Sequence, residues 1–337
     1  MDRNTLKTDV CTNARLSVAP MVDWTDRHCR YFHRLMSREM LLYTEMVTAS
    51  AVLHGDPARL LGFDETEHPV ALQLAGSEPG ELAEAARIGA GFGYDEINLN
   101  VGCPSDRVQS GRFGAVLMKH PHRVADCVAA MRDAVPCPVT VKCRIGVDQQ
   151  DPAEILPRFL ETVSAAGVTR FSIHARKAWL RGLSPRENRD VPPLDYRLVH
   201  RMKVEFPHLH LSINGGITSL EQVETHLRAG MDGVMVGRAA YRQPADILLA
   251  ADRRIFGGSG GRTVFDVVNT MKPYIARHLA SGGRLHQVTR HMLGAFAGWP
   301  GARGWRRVLS EGAMRAGAGP DLLDTALAQV RRHVSAA

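Results

Sequence analysis

The sequence has no paired-cysteine spacing, no long apolar run and few aromatic residues. The cysteines form no Cys-x-x-Cys pair and are too sparse for a disulfide scaffold, which argues against zinc, iron–sulfur and structural disulfide sites; they are Cys11, Cys29, Cys103, Cys127, Cys137 and Cys143. No apolar stretch reaches the roughly 18 residues that a membrane helix needs. Residues 1–14 are polar and lack the apolar core of a signal peptide. We therefore expect a cytoplasmic protein without metal.

What is present is a soluble, globular composition with an uneven charge. The chain has 337 residues, 45% of them hydrophobic and 6% aromatic, which favours one large domain and a smaller one. Residues 262–337 contain eleven Lys or Arg and four Asp or Glu, so this segment accounts for the whole net charge of +7. A neutral body with a basic appendage indicates a polyanionic partner. A soluble helical tail without such a partner explains the same count.

Eight short runs rich in β-branched residues recur along the chain, each followed by a helical pattern. These patterns predict helices over 79–88, 123–135, 155–166 and 220–229. Ser77 is expected to cap the first of them. The predicted strands cover 16–20, 41–47, 69–76, 96–101, 138–144, 170–176, 210–214 and 233–237.

The strand and helix order predicts an α/β protein, a (β/α)₈ TIM barrel followed by a small all-helical domain. A doubly wound nucleotide-binding fold is disfavoured because no Gly-x-Gly-x-x-Gly follows the first strand. We assign residues 1–256 to the barrel, the glycine-rich segment 257–261 to a hinge, and 262–337 to the helical domain, with helices near 264–280, 286–297, 303–315 and 321–333. The charged loop 177–194 is long enough to indicate a function.

Residues 96–104, Glu-Ile-Asn-Leu-Asn-Val-Gly-Cys-Pro, read as a buried strand that ends in a thiol. Ile97, Leu99 and Val101 alternate with asparagines, and Gly102 and Pro104 end the strand around the cysteine. A cysteine held just past a strand end is placed for chemistry, although an isolated Cys103 is also explained as buried apolar filler.

Polar residues and glycines coincide with the carboxyl ends of the predicted strands, where a barrel carries its active site. Each has a structural alternative: a salt bridge at the barrel mouth for Lys142, a buried core residue for His174, an ordinary turn for the glycine pair. The last two strand ends are more specific, since Asn214-Gly215-Gly216 and Gly237-Arg238 together predict a phosphate site. The strand-end residues are Pro20, Met21, Glu45, Gln73, Asn100, Cys103, Lys142, Arg144, His174, Arg176, Asn214, Gly215, Gly216, Gly237 and Arg238.

Flavin mononucleotide (FMN) suits these groups. Small or backbone contacts to one face of the ring come from Ala19, Pro20 and Met21. Gln73 offers an amide for the pyrimidine edge, and Lys142 offers a positive charge near N1 and O2. Cys103, Asn100 and His174 then face the open side where the substrate lies. Cys103 protonates one carbon of a C=C bond that takes hydride at the other.

The sequence resembles the tRNA-dihydrouridine synthases, and within them the dihydrouridine synthase A branch. The resemblance covers nearly the whole chain except the first dozen residues and the extreme C-terminus, and its Asn-x-Gly-Cys-Pro-Ser element is specific. The motifs that carry it are Ser-Val-Ala-Pro-Met-Val-Asp-Trp-Thr-Asp-Arg-His-Cys-Arg-Tyr-Phe from residue 17, Glu-Ile-Asn-Leu-Asn-Val-Gly-Cys-Pro-Ser-Asp-Arg-Val-Gln from 96, His-Ala-Arg-Lys-Ala-Trp-Leu from 174, Ser-Ile-Asn-Gly-Gly-Ile from 212 and Thr-Arg-His-Met-Leu-Gly from 289.

The resemblance implies an FMN barrel that uses NADPH to reduce the C5–C6 bond of uridine at positions 20 and 20a of the tRNA D loop. Cys103 matches the family's proton donor to C5, and Asn100 a residue that meets the target uridine. The FMN contacts are expected at Pro20, Met21, Val22, Gln73, Lys142, His174, Asn214, Gly215, Gly216, Gly237 and Arg238. Further tRNA contacts are expected at Arg144, Arg176, Arg186, Arg189, Arg303 and Arg306.

An RNA substrate also fits the charge, because a base turned out of a folded tRNA needs a pocket and its neighbours need phosphate contacts. The basic helical domain is expected to grip tRNA, and no obligate protein partner is implied, which favours a monomer. The leading alternative is an FMN barrel acting on a free pyrimidine or small enone, which leaves the basic segment without a role. A non-catalytic RNA-binding barrel is the other.

Overall fold

Eight parallel strands alternate with helices in this computed structural model, which describes residues 10–105, 113–259 and 261–334. The strands are β1 (Leu16–Val18), β2 (Leu42–Thr48), β3 (Val70–Ala75), β4 (Glu96–Val101), β5 (Val139–Arg144), β6 (Arg170–His174), β7 (His210–Asn214) and β8 (Gly233–Val236). Every predicted strand therefore has a counterpart.

The strands close into a barrel in chain order. The sheet order is β1-β8-β7-β6-β5-β4-β3-β2, so neighbours in sequence are neighbours in the sheet. The ring closes where Ser17 bridges Leu41 in parallel and the Val18 N–H donates to the Leu41 carbonyl at 3.1 Å. The prediction of a (β/α)₈ TIM barrel is confirmed.

Helices follow most of the strands. They are α1 (Arg27–Met36), α2 (Ala49–His54), α3 (Pro57–Leu61), α4 (Pro79–Gly91), α5 (Pro121–Ala134), α6 (Pro152–Ala165), α7 (Tyr196–Glu205), α8 (Leu220–Arg228), α9 (Arg238–Arg242), α10 (Pro244–Leu248), α11 (Ala251–Ile255), α12 (Val264–Ala280), α13 (Leu285–Thr289), α14 (Ala302–Gly312) and α15 (Leu322–Val334). The prediction that Ser77 caps α4 was wrong. Glu78 occupies the N-cap position, and the Ser77 carbonyl accepts from Arg123 Nε at 2.7 Å. No helix within the described residues is long and apolar enough to cross a membrane.

The two faces of each strand have different environments, as the alternating residue pattern predicts. A Cβ on Gly89 of α4 would lie 2.4 Å from Leu72 Cδ2 and 3.3 Å from Ile97 Cδ1, so these outward side chains pack tightly under the helix. Asn98 points the other way and bonds to side chains of β3 and β5 inside the barrel. Ile, Leu and Val therefore build the layer between strands and helices, and amides occupy the interior.

A buried ion pair lies inside the barrel at the amino end of the strands. Glu96 is fully buried and pairs with Arg170, whose Nη1 donates to the Val10 carbonyl at 2.9 Å. The Tyr43 hydroxyl donates to Glu96 Oε1 at 2.8 Å, and burial raises the pKa of this phenol, so it stays a donor. A buried carboxylate is tolerated when it is paired and hydrogen-bonded in this way.

Two compact units make up the chain. The first comprises residues 1–22, 40–217 and 221–237, and the second comprises 23–39, 218–220 and 238–337. Helices α1 and α9 to α11 thus fall in the second unit, although the sequence reading placed them with the barrel domain. The boundary at 257–261 stays a prediction, and Gly260 within it lies outside the described residues.

Helix α1 is part of the packed interior of the second unit. Tyr31 stacks on Tyr274 of α12 with ring centroids 4.0 Å apart, and His28 Nδ1 lies 2.7 Å from the Tyr274 hydroxyl. Burial lowers the pKa of His28 to about 4, so the ring is neutral. Asp26 caps the helix by accepting from the N–H groups of His28 and Cys29, both at 3.0 Å.

The C-terminal helices surround an aromatic core. Trp305 is fully buried, lies edge-on to Phe296 at 4.9 Å, and donates its indole N–H to the Met292 carbonyl at 3.0 Å. The helix predicted over 264–280 is confirmed, whereas that over 286–297 was too long: α13 ends at Thr289 and turns follow. Gly294, which lies in these turns, approaches the Tyr241 and Arg242 backbone so closely that no space is left for a Cβ.

Candidate active site at the carboxyl ends of the strands

The turn after β4 presents Cys103 at the barrel mouth. Asn100 Oδ1 accepts from the N–H groups of Gly102 at 3.1 Å and Cys103 at 3.0 Å, and the Cys103 carbonyl accepts from Ala115 N–H at 2.9 Å. The Cys103 side chain is partly exposed, and its Sγ lies 3.6 Å from Ser105 Oγ. The filler alternative suits buried cysteines such as Cys143, whose pKa burial raises to about 12, better than it suits Cys103.

Three amide side chains form a hydrogen-bonded row beside this turn. Parallel register places Gln73 of β3 next to Asn98 of β4. Gln73 Nε2 donates to Asn98 Oδ1 at 2.7 Å, and Asn100 Nδ2 donates to Gln73 Oε1 at 2.8 Å. Gln73 and Asn100 are therefore brought together with Cys103, as the sequence predicts.

Lys142 lies on the inner face of β5, and its side chain extends past β6 to the end of β7. Its Nζ donates to Asn214 Oδ1 at 3.1 Å, while Asn214 Nδ2 donates to the Met235 carbonyl at 2.7 Å. Within the described residues its hydrogen-bond partner is this amide and not a carboxylate, so the salt-bridge alternative finds no support there. Burial and the charge of Arg144 lower the pKa of Lys142 to about 8.

Arg144 is a buried cation at the end of β5. Its Nε donates to the Gly102 carbonyl at 3.1 Å, and its Nη1 donates to the carbonyls of Lys177 at 3.2 Å and Asn188 at 3.0 Å. Burial lowers the pKa of Arg144 to about 10, and the positive charge of Arg189 acts in the same direction. The side chain thus ties the Cys103 turn to the loop after β6.

His174 and the glycine pair meet at the ends of β6 and β7. A Cβ at Gly215 would lie 2.6 Å from His174 Cδ2, and one at Gly216 would lie 2.6 Å from Leu194 Cδ1. The two glycines have φ values of +112° and +71°, which other residues rarely adopt. The Tyr196 hydroxyl donates to the Gly215 carbonyl at 2.6 Å. This turn therefore requires glycine at both positions, for the backbone conformation and for the lack of space around each Cα.

The ends of β1 and β8 lie side by side. The Ala19 N–H donates to the Val236 carbonyl at 2.8 Å, and a Cβ at Gly237 would lie 3.8 Å from Met21 Sδ. Pro20 is partly exposed, and 57% of Val22 is exposed. Arg238, the next residue after Gly237, begins α9 and belongs to the second unit.

The loop after β6 is organised around one buried asparagine. Asn188 is fully buried, accepts from the Trp179 N–H at 2.7 Å, and donates to the Trp179 and Leu183 carbonyls at 2.9 and 3.0 Å. Arg186 and Arg189 flank it and are exposed. Arg176, at the start of the loop, is partly buried and donates to the Asp190 carbonyl at 3.2 Å and to the Pro192 carbonyl.

Arg303 and Arg306 lie on α14 in the second unit. Both are exposed, as is Arg307, while Trp305 of the same helix is buried. A row of cations on the solvent side of one helix is the arrangement expected of a phosphate-binding face.

Sequence reasoning missed three residues that shape this site: Asn98, Asn188 and Tyr196. Asn98 could have been found, because a strand period of two places it on the same face as Asn100. Asn188 and Tyr196 act through contacts with residues that no local pattern identifies. Residues 106–109, the last four of the motif that begins at residue 96, lie outside the described residues.

No group of three or more His, Cys, Asp or Glu side chains that could hold a metal occurs among the residues that the structure describes. The donors gathered at the barrel mouth are amides, backbone N–H groups and cations, which suit an anionic or heteroaromatic ligand.

A family model and individual proteins of similar sequence identify the same family. A model of the dihydrouridine synthase (Dus) family matches residues 17–331. The tRNA-dihydrouridine(20/20a) synthase of Escherichia coli K12 is 60% identical over 323 residues, covering 95% of this chain and 93% of that protein. The tRNA-dihydrouridine(20/20a) synthase of Vibrio parahaemolyticus is 55% identical over 325 residues, covering 96% and 99%.

Solved structures with little sequence similarity share the fold. The old yellow enzyme homologue of Zymomonas mobilis superimposes with a TM-score of 0.52 at 11% identity, covering 75% of this chain and 91% of that one. Morphinone reductase gives a TM-score of 0.51 at 13% identity, covering 74% and 87%. These similarities support the barrel architecture.

Proposed function

Since this chain belongs to the dihydrouridine synthase family, we propose that it is a flavin-dependent tRNA-dihydrouridine(20/20a) synthase. The chain is an oxidoreductase of the tRNA-dihydrouridine synthase class, supported by 60% identity along nearly its full length to the Escherichia coli protein of that name. The reaction proposed is reduction of the C5–C6 bond of uridine at positions 20 and 20a, with NADPH as the reductant. The observation that carries this proposal is the partly exposed Cys103, hydrogen-bonded into a row of amides at the mouth of a barrel.

The residues at the barrel mouth fit FMN as the bound cofactor. Positive φ at Gly215 and Gly216, where a Cβ would collide with His174, Leu194 and Tyr196, leaves bare backbone for a phosphate. We propose that Asn214, Gly237 and Arg238 complete that phosphate site. We place the isoalloxazine ring against Pro20, Met21 and Val22, with Gln73 and His174 as its polar contacts.

Lys142 supplies the charge that a reduced flavin requires. Its cation would face N1 and O2 of the ring, where negative charge accumulates. Asn214 fixes its direction through the 3.1 Å hydrogen bond. A lysine that is partly desolvated and hydrogen-bonded to a neutral amide keeps its attraction for the ring, because no carboxylate among the described residues neutralises it.

Cys103 is proposed as the general acid. When bound, FMN supplies the hydride that is added to C6 of the uracil ring. The Cys103 Sγ gives its proton to C5, and the two backbone hydrogen bonds to Asn100 hold the thiol in place. One Nδ2 hydrogen of Asn100 bonds Gln73 and the other can meet the uracil edge. Arg144, whose Nε and Nη1 hold the Cys103 turn and the loop after β6, is proposed to contact the substrate as well.

Recognition of tRNA is proposed to rest on arginines that are exposed, except for the partly buried Arg176. Arg186 and Arg189 in the loop after β6, with Arg176 at its start, belong to the first unit, and Arg303 and Arg306 belong to the second. The excess of seven positive charges in residues 262–337 supplies the polyanion affinity that a small substrate would not need. We propose a cytoplasmic monomer, because tRNA is modified there and the reaction needs no second copy.

The test is product formation on tRNA. Purified protein loaded with FMN, given NADPH and an unmodified tRNA transcript, is expected to make dihydrouridine at positions 20 and 20a, mapped by mass spectrometry of nuclease fragments. Free uridine is the matched substrate. Reduction of free uridine as fast as of tRNA would favour the free-pyrimidine reductase, and a protein that binds tRNA yet stays colourless with FMN would favour a non-catalytic RNA-binding barrel.

A further inference from the structure

A continuous chain of hydrogen bonds runs through the barrel interior from Glu96 to the backbone of Cys103. Thr140 donates to Glu96 Oε1, and Asn98 Nδ2 donates to Thr140 Oγ1 at 2.8 Å. The amide row then continues from Asn98 through Gln73 and Asn100. All four intermediate side chains are at least nine-tenths buried, with exposures of 3% for Thr140, 0% for Asn98, 1% for Gln73 and 7% for Asn100.

The buried carboxylate sets the direction of the first two bonds. Glu96 is paired with Arg170 and, as a carboxylate, can only accept. A threonine hydroxyl has one proton, and Thr140 uses it on Glu96, so Thr140 can only accept from Asn98. The NH₂ group of Asn98 must therefore face Thr140, which leaves its Oδ1 facing Gln73.

The amides further up the barrel are oriented in the same way. Asn98 Oδ1 needs a donor, so the Gln73 NH₂ group faces it at 2.7 Å and the Gln73 Oε1 faces Asn100. Asn100 Nδ2 donates to Gln73 Oε1 at 2.8 Å. Asn100 Oδ1 is then left to accept from the N–H groups of Gly102 and Cys103. Reversing any one amide would place donor against donor or acceptor against acceptor in a buried site, and an unsatisfied buried polar group is destabilising.

We propose that Thr140 and Asn98 are positioning residues that transmit the polarity of the buried Glu96 carboxylate to Gln73 and to the turn that holds Cys103. The inference rests on the proposed function, because it assigns these residues to the cofactor amide and the general acid of that reaction. Neither residue needs to touch flavin or tRNA. Their effect is to exclude the flipped orientations of the Gln73 and Asn100 amides.

Parallel register makes the chain possible. Gln73 pairs with Asn98 in the β3–β4 ladder, and Asn98 pairs with Thr140 in the β4–β5 ladder, so the three side chains form one inward layer. Asn100 is two residues above Asn98 on the same face. The arrangement therefore depends on side-chain chemistry at fixed positions, and a valine at 140 would preserve the shape of the layer while removing its directionality.

The experiment compares Thr140→Val with Thr140→Ser and with a control, Ser212→Ala. The control removes a buried hydroxyl of β7 that is not part of the row of hydrogen bonds from Glu96 to Cys103. In Thr140→Val, reoxidation of the reduced flavin by tRNA is expected to slow about 10- to 100-fold, the cost of a misplaced reacting group, with little change in the KM for tRNA. Thr140→Ser is expected to restore the rate. Amide hydrogen exchange of the flavin-free protein, read in peptides that contain Gly102 and Cys103, is expected to be faster in Thr140→Val than in Ser212→Ala.

Equal reoxidation rates and equal exchange in Thr140→Val and Ser212→Ala would overturn the inference. If Thr140→Val does not fold, Asn98→Leu interrupts the same bonds with a side chain of similar size, and normal rates in that variant would overturn it equally. Failure of the proposed function is a separate result, because the wild-type protein and Thr140→Ser would then make no dihydrouridine in tRNA.

Discussion

Arg144 Nε donates to the carbonyl oxygen of Gly102 at 3.1 Å, immediately before Cys103 in the chain. The same guanidinium binds two carbonyls of the loop after β6. The cation therefore fixes the thiol-bearing turn and the arginine-bearing loop together. A buried arginine with backbone partners holds position better than lysine could, since its planar group offers several donors in fixed directions.

Replacement of Arg144 should loosen both segments. Arg144→Met leaves the Gly102, Lys177 and Asn188 carbonyls without their donor, and we expect the free energy of unfolding to fall by about 2–4 kcal/mol. Urea denaturation measures this. Arg181→Met, at an exposed arginine of the same loop, is the control and should change it by less than about 0.5 kcal/mol. Equal effects of the two substitutions would show that Arg144 does not hold the turn.

If Lys142 faces the flavin as proposed, reduction of the flavin should depend on pH. Burial lowers its pKa to about 8, so its positive charge is present below that pH and is lost as the pH rises through it. Reduction of bound FMN by NADPH should therefore slow above pH 8. Stopped-flow flavin reduction between pH 6.5 and 9.5, values bracketing that pKa, checks this, and Lys142→Met should be slow and flat across the range. A wild-type profile without a fall would remove Lys142 from this role.

Arg303 and Arg306 predict the salt dependence of tRNA binding. If each neutralises one phosphate, the double substitution Arg303→Ala with Arg306→Ala should reduce the slope of log K against log salt by about two units. Fluorescence titration over a series of salt concentrations gives the slope. Arg158→Ala with Arg201→Ala, two exposed arginines of barrel helices, is the matched pair and should leave it unchanged. An unaltered slope in the first variant would contradict the assignment.

Asp26 links two sequence motifs within the second unit. Its Oδ2 lies 2.6 Å from Arg290 Nη2 and 2.9 Å from His291 Nε2, while Oδ1 caps α1. Burial alone would raise its pKa, but the hydrogen bonds from His291, the Cys29 N–H and Arg290, together with the charge of His291, hold the pKa well below 3.8. A lowered carboxyl pKa stabilises the fold above pH 4 or so, and that stabilisation is lost as the pH falls.

Substitutions at Asp26 separate the charge from the helix cap. Asp26→Asn keeps a good cap and should lower the free energy of unfolding at pH 7 by about 1–3 kcal/mol, with a smaller difference from wild type at pH 3. Asp26→Ala should cost about 1 kcal/mol more, the contribution of the cap. Denaturation at both pH values measures this, and a deficit for Asp26→Asn that does not shrink at pH 3 would contradict it.

The barrel could be predicted from the sequence because its information is local. Alternation such as Ile97, Asn98 and Leu99 marks a strand, and repetition of strand and helix leaves few topologies. The strand ends then gave Gln73, Asn100, Cys103 and Lys142, whose geometry now supports one site. Their catalytic and binding roles stay proposals.

What sequence reasoning did not give depends on contacts between distant residues. Helix α1 belongs with the second unit through His28 and Tyr274, which are 246 positions apart. Deleting residues after 261 would therefore expose Tyr31 of α1, which stacks on Tyr274, so point substitutions test tRNA binding more cleanly than truncation. Asn188 could not be identified for a similar reason, because the four hydrogen bonds of its side chain exist only once the loop has folded.

The most direct test of the central claim uses Cys103→Ala. Single-turnover mixing of the reduced holoenzyme with unmodified tRNA should show that Cys103→Ala retains FMN and its reduction by NADPH but forms dihydrouridine more than about 10²-fold slower, the contribution of one general acid. Cys137→Ala, at a cysteine of similar exposure just before the amino end of β5, should behave as wild type. Dihydrouridine formation by Cys103→Ala at the wild-type rate would contradict the account.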